Sequence, residues 1–298
     1  MAFQLSNKEI VQHHFHTGLA RVLLEQVQQA ETIFASYSDK NHAETIEKAR
    51  ACICKILAVM DIIAPFIGSE FNAERRGFKQ LLSSLSEQFE QNQAIRALEK
   101  LKYLSTSATG SLSWDKLKEQ YLQEKNAQPE LKKNRRKFVD QALVLLLGAQ
   151  KTFQVELPEI HDIDLLEEGL ESSNQEVARI YNNCISRGKD EDFQELHSTI
   201  GSFIHQTEVL QNFSFAPTHI RRKFLERLSS KLDLYNDLTT LVSNLKGWRG
   251  KQLSHDDFQI LDQIVDTQKK LLSIDLLQLG KKIFKANTAQ SQKSDLVH

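Results

Sequence analysis

Four prolines and eleven glycines in 298 residues leave little to interrupt a regular backbone. Leu, Glu, Gln, Lys and Ala dominate instead, so the composition is that of a mostly or wholly helical chain. Cysteine is equally scarce. Cys52, Cys54 and Cys184 are too few, and odd in number, for a disulfide framework. No long hydrophobic run exists: stretches such as Ala142 to Ala149 fall far short of the roughly 20 residues that span a bilayer. The segment "MAFQLSNKEIVQHHFH" lacks the basic start and apolar stretch of a secretory signal, so a cytoplasmic location is expected. Neither sign of charge is in excess. A formal net charge of −1 supplies no global field for nucleic acid or an anionic membrane surface. Phosphate-binding loops, dinucleotide fingerprints, the G-x-S-x-G nucleophile turn and H-E-x-x-H are all missing, so catalysis is not expected.

What is present is helical periodicity. It predicts helices near 8–35, 42–64, 70–104 (with room for one break), 113–125, 129–153, 163–187, 190–212, 217–246, 254–270 and 273–287. Start signals are Ser69, Ser113, and Ser254 with Asp257 three residues on, a capping-box pattern. Pro65, Pro129, Pro158 and Pro217 fall at predicted ends or first turns, where proline is tolerated. No stretch alternates with a period of two, so no sheet is expected. The tail "NTAQSQKSDLVH" is polar and aperiodic, and 288–298 is expected to fray.

Two segments share a pattern. "TIEKARACICKILAVMDII" has its apolar seam at Ile46, Ala49, Ile53, Ile56, Met60 and Ile63. The shift that carries Ile46 onto Phe193 carries the rest onto Leu196, Ile200, Phe203, Thr207 and Leu210 of "DFQELHSTIGSFIHQTEVL". The same shift lays Leu81, Leu85, Ala94 and Ile95 on Leu228, Leu232, Leu241 and Val242. Any two amphipathic helices share such a seam. A common shift over two consecutive helices points further, to an internal duplication. The expected architecture is all-α, with two similar bundles, 1–125 and 126–287, packed around a central groove as one domain.

Beside the seam of the second segment lie Gln194, His197, Ser198, Gly201 and His205, a strip that is small and neutral for a solvent-facing position. With the halves aligned, the chain resembles the CHAD family, the conserved histidine α-helical domain. The family's first-half pattern "(I/V)HxxRVAxRRLRxxLxLF" is similar to "IEKARACICKILAVMDII", and its second-half pattern "DFHELRKRxKxxxxxLxLL" to "DFQELHSTIGSFIHQTEVL". "LGDxHDLAVL" is similar to "LDLYNDLTTL", and "LGxxLFxxxP" to "LGKKIFKAN". The departures are concentrated in function. The family histidines fall on Glu47 and Gln194. Its cationic positions fall on Arg50, Cys54, Lys55 and Leu57 in one helix and on His197, Ser198, Thr199 and Gly201 in the other. The strip looks like a cationic stripe from which most cations have gone.

Cations at i and i+4 on one helix repel by roughly 0.2–0.5 kcal/mol per pair, so a stack of them makes sense only around a polyanion. The resemblance implies inorganic polyphosphate or a similar polyanion as ligand, held through counterion release and weakened by salt. Arg50 and Lys55, with Lys48 nearby, are the candidate contacts in the first half; ordinary solvated side chains beside the seam are the alternative. His197 is a remnant anion contact, favoured below an imidazole's ordinary pKa of about 6.5, or a partly buried neutral histidine with a local hydrogen bond. "PELKKNRRKF" and "THIRRKF" place cations at predicted helix starts, against the helix dipole, and add Arg222 and Arg227 as candidates. Lys79, Lys132 and Arg222 are positions from which relocated charge could rebuild a groove. The alternative function is a helical scaffold with a protein partner, its fold kept and its polyanion lost. "HHFH" puts His13 and His16 at i and i+3 without a further ligand nearby, so no metal is expected, and no cofactor. Cys52 and Cys54 in C-x-C on a helix point apart and read as filler.

Overall fold

A computed structural model describes residues 7–64, 71–104, 113–126, 129–155, 163–210, 219–246 and 254–294, and every element in them is helical. Among the described residues the helices are α1 (Asn7–Ala35), α2 (His42–Ile63), α3 (Asn72–Leu104), α4 (Trp114–Asn126), α5 (Pro129–Val155), α6 (Ile163–Arg187), α7 (Asp190–Leu210), α8 (His219–Lys246) and α9 (His255–Ser294). No strand occurs among the described residues.

The last two expected helices are one. "TQKKLLSIDLL" carries neither glycine nor proline, so nothing in it stops propagation, and α9 runs unbroken through it. The backbone of α9 stays helical to Ser294, past the expected end at residue 287. The possible break in α3 is likewise absent. Three start signals act as read. The Asp257 amide donates to Ser254 Oγ at 3.1 Å, and that hydroxyl donates to Asp257 Oδ2 at 2.6 Å. The Lys116 amide reaches Ser113 Oγ at 3.4 Å, and Pro129 is the first residue of α5. Ser69, Pro65, Pro158 and Pro217 lie outside the described residues.

The chain divides into two compact units, each assembled from three separate stretches. Unit 1 comprises 1–89, 130–175 and 202–217; unit 2 comprises 90–129, 176–201 and 218–298. These boundaries differ from a division near residue 125, since α3, α6 and α7 each contribute residues to both units.

In unit 1, α1 buries Leu19, Leu23, Val27, Ala30 and Phe34, the i, i+4 ladder of one face, and packs along α2. All six seam residues of α2, from Ile46 to Ile63, are buried. The Phe153 ring on α5 stacks near Phe71 and Phe78, with centroids 6.2 and 6.3 Å away. Arg75 on α3 donates from Nε at 2.9 Å to Asp61 Oδ1 on α2, fixing the register of those helices. Gly77 packs close under Leu145: a Cβ there would sit 2.7 Å from Leu145 Cδ1, the end of a side chain that can turn aside.

In unit 2, α8 buries Leu225, Leu228, Leu232, Tyr235, Leu238, Leu241 and Leu245, and packs along α9, whose Phe258, Leu261, Val265, Leu272, Leu276, Leu279 and Ile283 are buried. Gly188, at φ 62°, ends α6 in the left-handed conformation, its amide bonding Cys184 O at 3.0 Å. The buried Asp192 carboxylate then receives the Lys189 amide at 3.2 Å and Arg187 at 3.2 Å, which locks the turn into α7.

Candidate functional site

The sequence-selected cations divide between the units: Lys48, Arg50 and Lys55 belong to unit 1, and His197, Arg222 and Arg227 to unit 2. Lys48, Arg222 and His197 face carboxylates. Lys48 Nζ lies 2.6 Å from Glu44 on the preceding turn of α2. Arg222 Nε lies 2.8 Å from Glu226 on α8. His197 Nε2 lies 2.7 Å from Asp233 Oδ1, a partner on another helix and not a local one. Arg50 is half-buried and Lys55 stands close to Cys52, whose thiol is pushed up mainly by burial while the ammonium of Lys55 pulls it down. Cys54 is raised by burial against the opposing charge of Arg50. Cys52 is buried and Cys54 half-buried.

The strip along α7 has the character expected of it. Gln194 and Ser198 are exposed, and Gly201 has nothing within 4 Å of where a Cβ would be. His205 Nδ1 lies 3.3 Å from Glu208, so the strip's second histidine also meets a carboxylate.

Of the basic clusters, the side chains of 129–134 lie outside the described residues, as does that of Lys132; Arg135 is half-buried and Arg136 exposed. Lys79 is exposed. The side chains of His13, His14 and His16 also lie outside the described residues. Among the described residues, no group of three or more His, Cys, Asp or Glu could hold a metal ion, and no helix is long and apolar enough to cross a membrane.

Unit 2 contains a cluster that sequence reading passed over. Asp237, one turn beyond Asp233 on α8, is 3% exposed. Burial pushes its carboxyl up to about 6, against the pull of Arg96 and Lys100 on α3, with the Asp233 charge pushing the same way as burial and His197 opposing. The stretch "LDLYNDLTTL" did carry a signal. Two carboxylates at i, i+4 repel, so the pair needs a compensating environment.

A second polar knot in unit 2 joins α7, α8 and α9. Asp190 accepts from Tyr235 Oη at 2.7 Å and from Lys269 Nζ at 2.7 and 2.8 Å, and the Lys269 ammonium sits 4.9 Å from the Tyr235 ring centre. Burial alone would raise Asp190, but the hydrogen bonds from Lys269 and Tyr235 hold it below the usual carboxylate range. A shallow cavity of about 270 Å³ opens beside it, lined by Gln194, Lys246, Asp262 and Asp266 among others. Its carboxylates outnumber its ammonium groups, which makes it a poor seat for an anion.

Apolar side chains also reach solvent. Val144 and Leu147 on α5 are 72% and 45% exposed, and Leu271 and Ile274 on α9 are 55% and 53% exposed. Each pair is spaced i, i+3, which puts both members on one helix face. Comparisons with protein-family models, curated proteins and solved structures give no match.

Proposed function

We propose that the chain is a non-enzymatic, CHAD-like helical protein that works as an interaction scaffold. The observation that carries this reading is the pair of exposed apolar faces, Val144/Leu147 in unit 1 and Leu271/Ile274 in unit 2. Apolar residues in isolation on a surface need no explanation; paired on one face and flanked by charges, as by Lys270 and Asp275, they have the make-up of a contact patch with a polar rim. The internal duplication is supported by burial: in all six seam pairs, from Ile46/Phe193 to Ile63/Leu210, both residues are buried. Ile95 and Val242, paired by the same shift, are both half-buried.

The loss of a polyanion ligand is supported by the carboxylates that Lys48, Arg222 and His197 face. Each such pair lowers the net field available to a phosphate chain. Exposed pairs are worth only about 0–1 kcal/mol, however, so a polyanion could displace them. Lys55 favours that second reading, since the group it stands beside is the Cys52 thiol and not a carboxylate.

Binding of medium-chain polyphosphate at two salt concentrations, with the R50Q/K55Q variant as control, separates the two. A scaffold gives no salt-sensitive binding. Binding that weakens with salt and is lost in R50Q/K55Q overturns the scaffold reading in favour of the polyanion. For the scaffold itself, V144K/L147K and L271K/I274K should each abolish association with a native partner without lowering the melting temperature. Association unaffected by both would remove the ground for the reading.

A further inference from the structure

Helix α5 carries two seams. Its core face, Val139, Ala142, Leu146, Ala149 and Phe153, is buried in unit 1. On the opposite face Lys137, Asp140, Val144, Leu147, Lys151 and Gln154 are all exposed. These six recur at alternating steps of three and four residues, the period of a coiled-coil seam. Val144 and Leu147, 72% and 45% exposed, are therefore the centre of a second stripe and not the edge of the core face.

The stripe is self-complementary in one direction only. A two-fold axis midway between Val144 and Leu147 is also midway between Asp140 and Lys151, and between Lys137 and Gln154. Antiparallel pairing of two copies about that axis sets Val144 of each against Leu147 of the other, as the seam positions of antiparallel helices meet. It also sets Asp140 of each against Lys151 of the other, and no like charges meet. Parallel pairing would set Asp140 on Asp140 and Lys151 on Lys151, which repels.

We infer that the exposed face of α5 is a self-docking surface, on which a second copy of this chain pairs antiparallel, α5 against α5. The inference rests on the scaffold reading and names the partner of its unit 1 patch. Two-fold pairing closes on itself, so the product is a dimer and not a filament. The α9 patch fits this role less well, because the charges that flank it are already engaged: Asp275 faces Lys231 and Lys270 faces Asp266 within the chain. One helix face is smaller than the roughly 1,200–2,000 Å² that stable interfaces bury, so the dimer is weak and forms in the micromolar range.

The test is sedimentation velocity of the full chain across the micromolar range, with a charge-exchange series. Wild type should pass from monomer to dimer as concentration rises, and V144K/L147K should stay monomeric. D140K and K151D each bring like charges together at both symmetry-related contacts and should weaken the dimer by about tenfold. D140K/K151D exchanges the charges and should restore it. Restoration separates pairing from misfolding, since two independently damaging substitutions would add. A chain that stays monomeric throughout overturns the inference; the scaffold reading then stands or falls separately, on whether V144K/L147K loses a native partner. A dimer lost in L271K/I274K but kept in V144K/L147K overturns it in favour of the α9 patch. A dimer that D140K, K151D and their combination leave alike overturns the antiparallel register.

Discussion

Substituting Gly280 by alanine should destabilise unit 2 by roughly 2–4 kcal/mol, although alanine is the better helix former. A Cβ at position 280 of α9 would lie 2.5 Å from Cζ and 2.6 Å from Cδ2 of Tyr181 on α6, with Cε2 closer still. Carbon atoms prefer about 3.5–4.0 Å, so the ring must withdraw by well over an ångström. It has nowhere easy to go. The Tyr181 hydroxyl donates to Leu277 O at 2.6 Å, and the ring packs on Phe284 with centroids 5.0 Å apart. Overpacking of this kind costs about 1–3 kcal/mol. A lost hydrogen bond adds about 1 kcal/mol, and a weakened aromatic pair about 0.5–1.5 kcal/mol. The intrinsic helix preference returns about 1 kcal/mol. Urea denaturation followed by circular dichroism at 222 nm measures the difference. In the double variant with Tyr181→Ala the added methyl has room, so G280A should cost nothing further in that background. A G280A protein as stable as wild type, or one equally destabilised with and without the tyrosine ring, would refute the reasoning.

Gly201→Ala is the opposite case: nothing lies within 4 Å of the new methyl, so the variant should gain up to about 1 kcal/mol in the same assay. Asp237 has its carboxyl raised in the folded state, so folding takes up a proton between the ordinary aspartate pKa and about 6, and this group strengthens the fold as pH falls through that range. D237N should therefore be more stable than wild type at pH 7.5, by up to about 3 kcal/mol, with the advantage shrinking toward pH 5; a thermal melt at both pH values checks it, and an advantage that grows in acid would reverse the sign. Tyr235→Phe removes a hydrogen bond to the charged Asp190 and should cost about 1.5–3 kcal/mol by denaturation. The Cys184 thiol, buried and pushed up to about 12 chiefly by desolvation, should resist iodoacetamide until the chain unfolds, as mass spectrometry of the alkylated peptide would show.

Helix placement was legible in the sequence because it depends on near-neighbour chemistry. Ser254 and Asp257 cap α9 through atoms three residues apart, and the Ile46–Ile63 seam needs only a period to be seen. The unbroken α9 was expected as two helices with a gap at 271–272, where neither glycine nor proline stands to make one. The electrostatic partners were illegible for a different reason. His197 meets Asp233 thirty-six positions away, and Asp190 meets Lys269 seventy-nine away, distances over which no local pattern exists. Asp237 reads as one more helical aspartate until its depth is known. Gly280 and Gly201 look alike in sequence, yet one is pressed by Tyr181 and the other faces open space.

The division of the chain into interleaved stretches has a consequence for synthesis. Unit 1 draws on residues up to 217 and unit 2 on residues well beyond 246, so neither can close while only the first half has left the ribosome. At about 5–20 residues per second, the α1–α2 pair waits seconds for its completing segment. During that wait the buried faces of α1 and α2, with Leu23, Val27, Ile53 and Ile56, are covered only by the parts of unit 1 already made. No single truncation point therefore releases one unit whole.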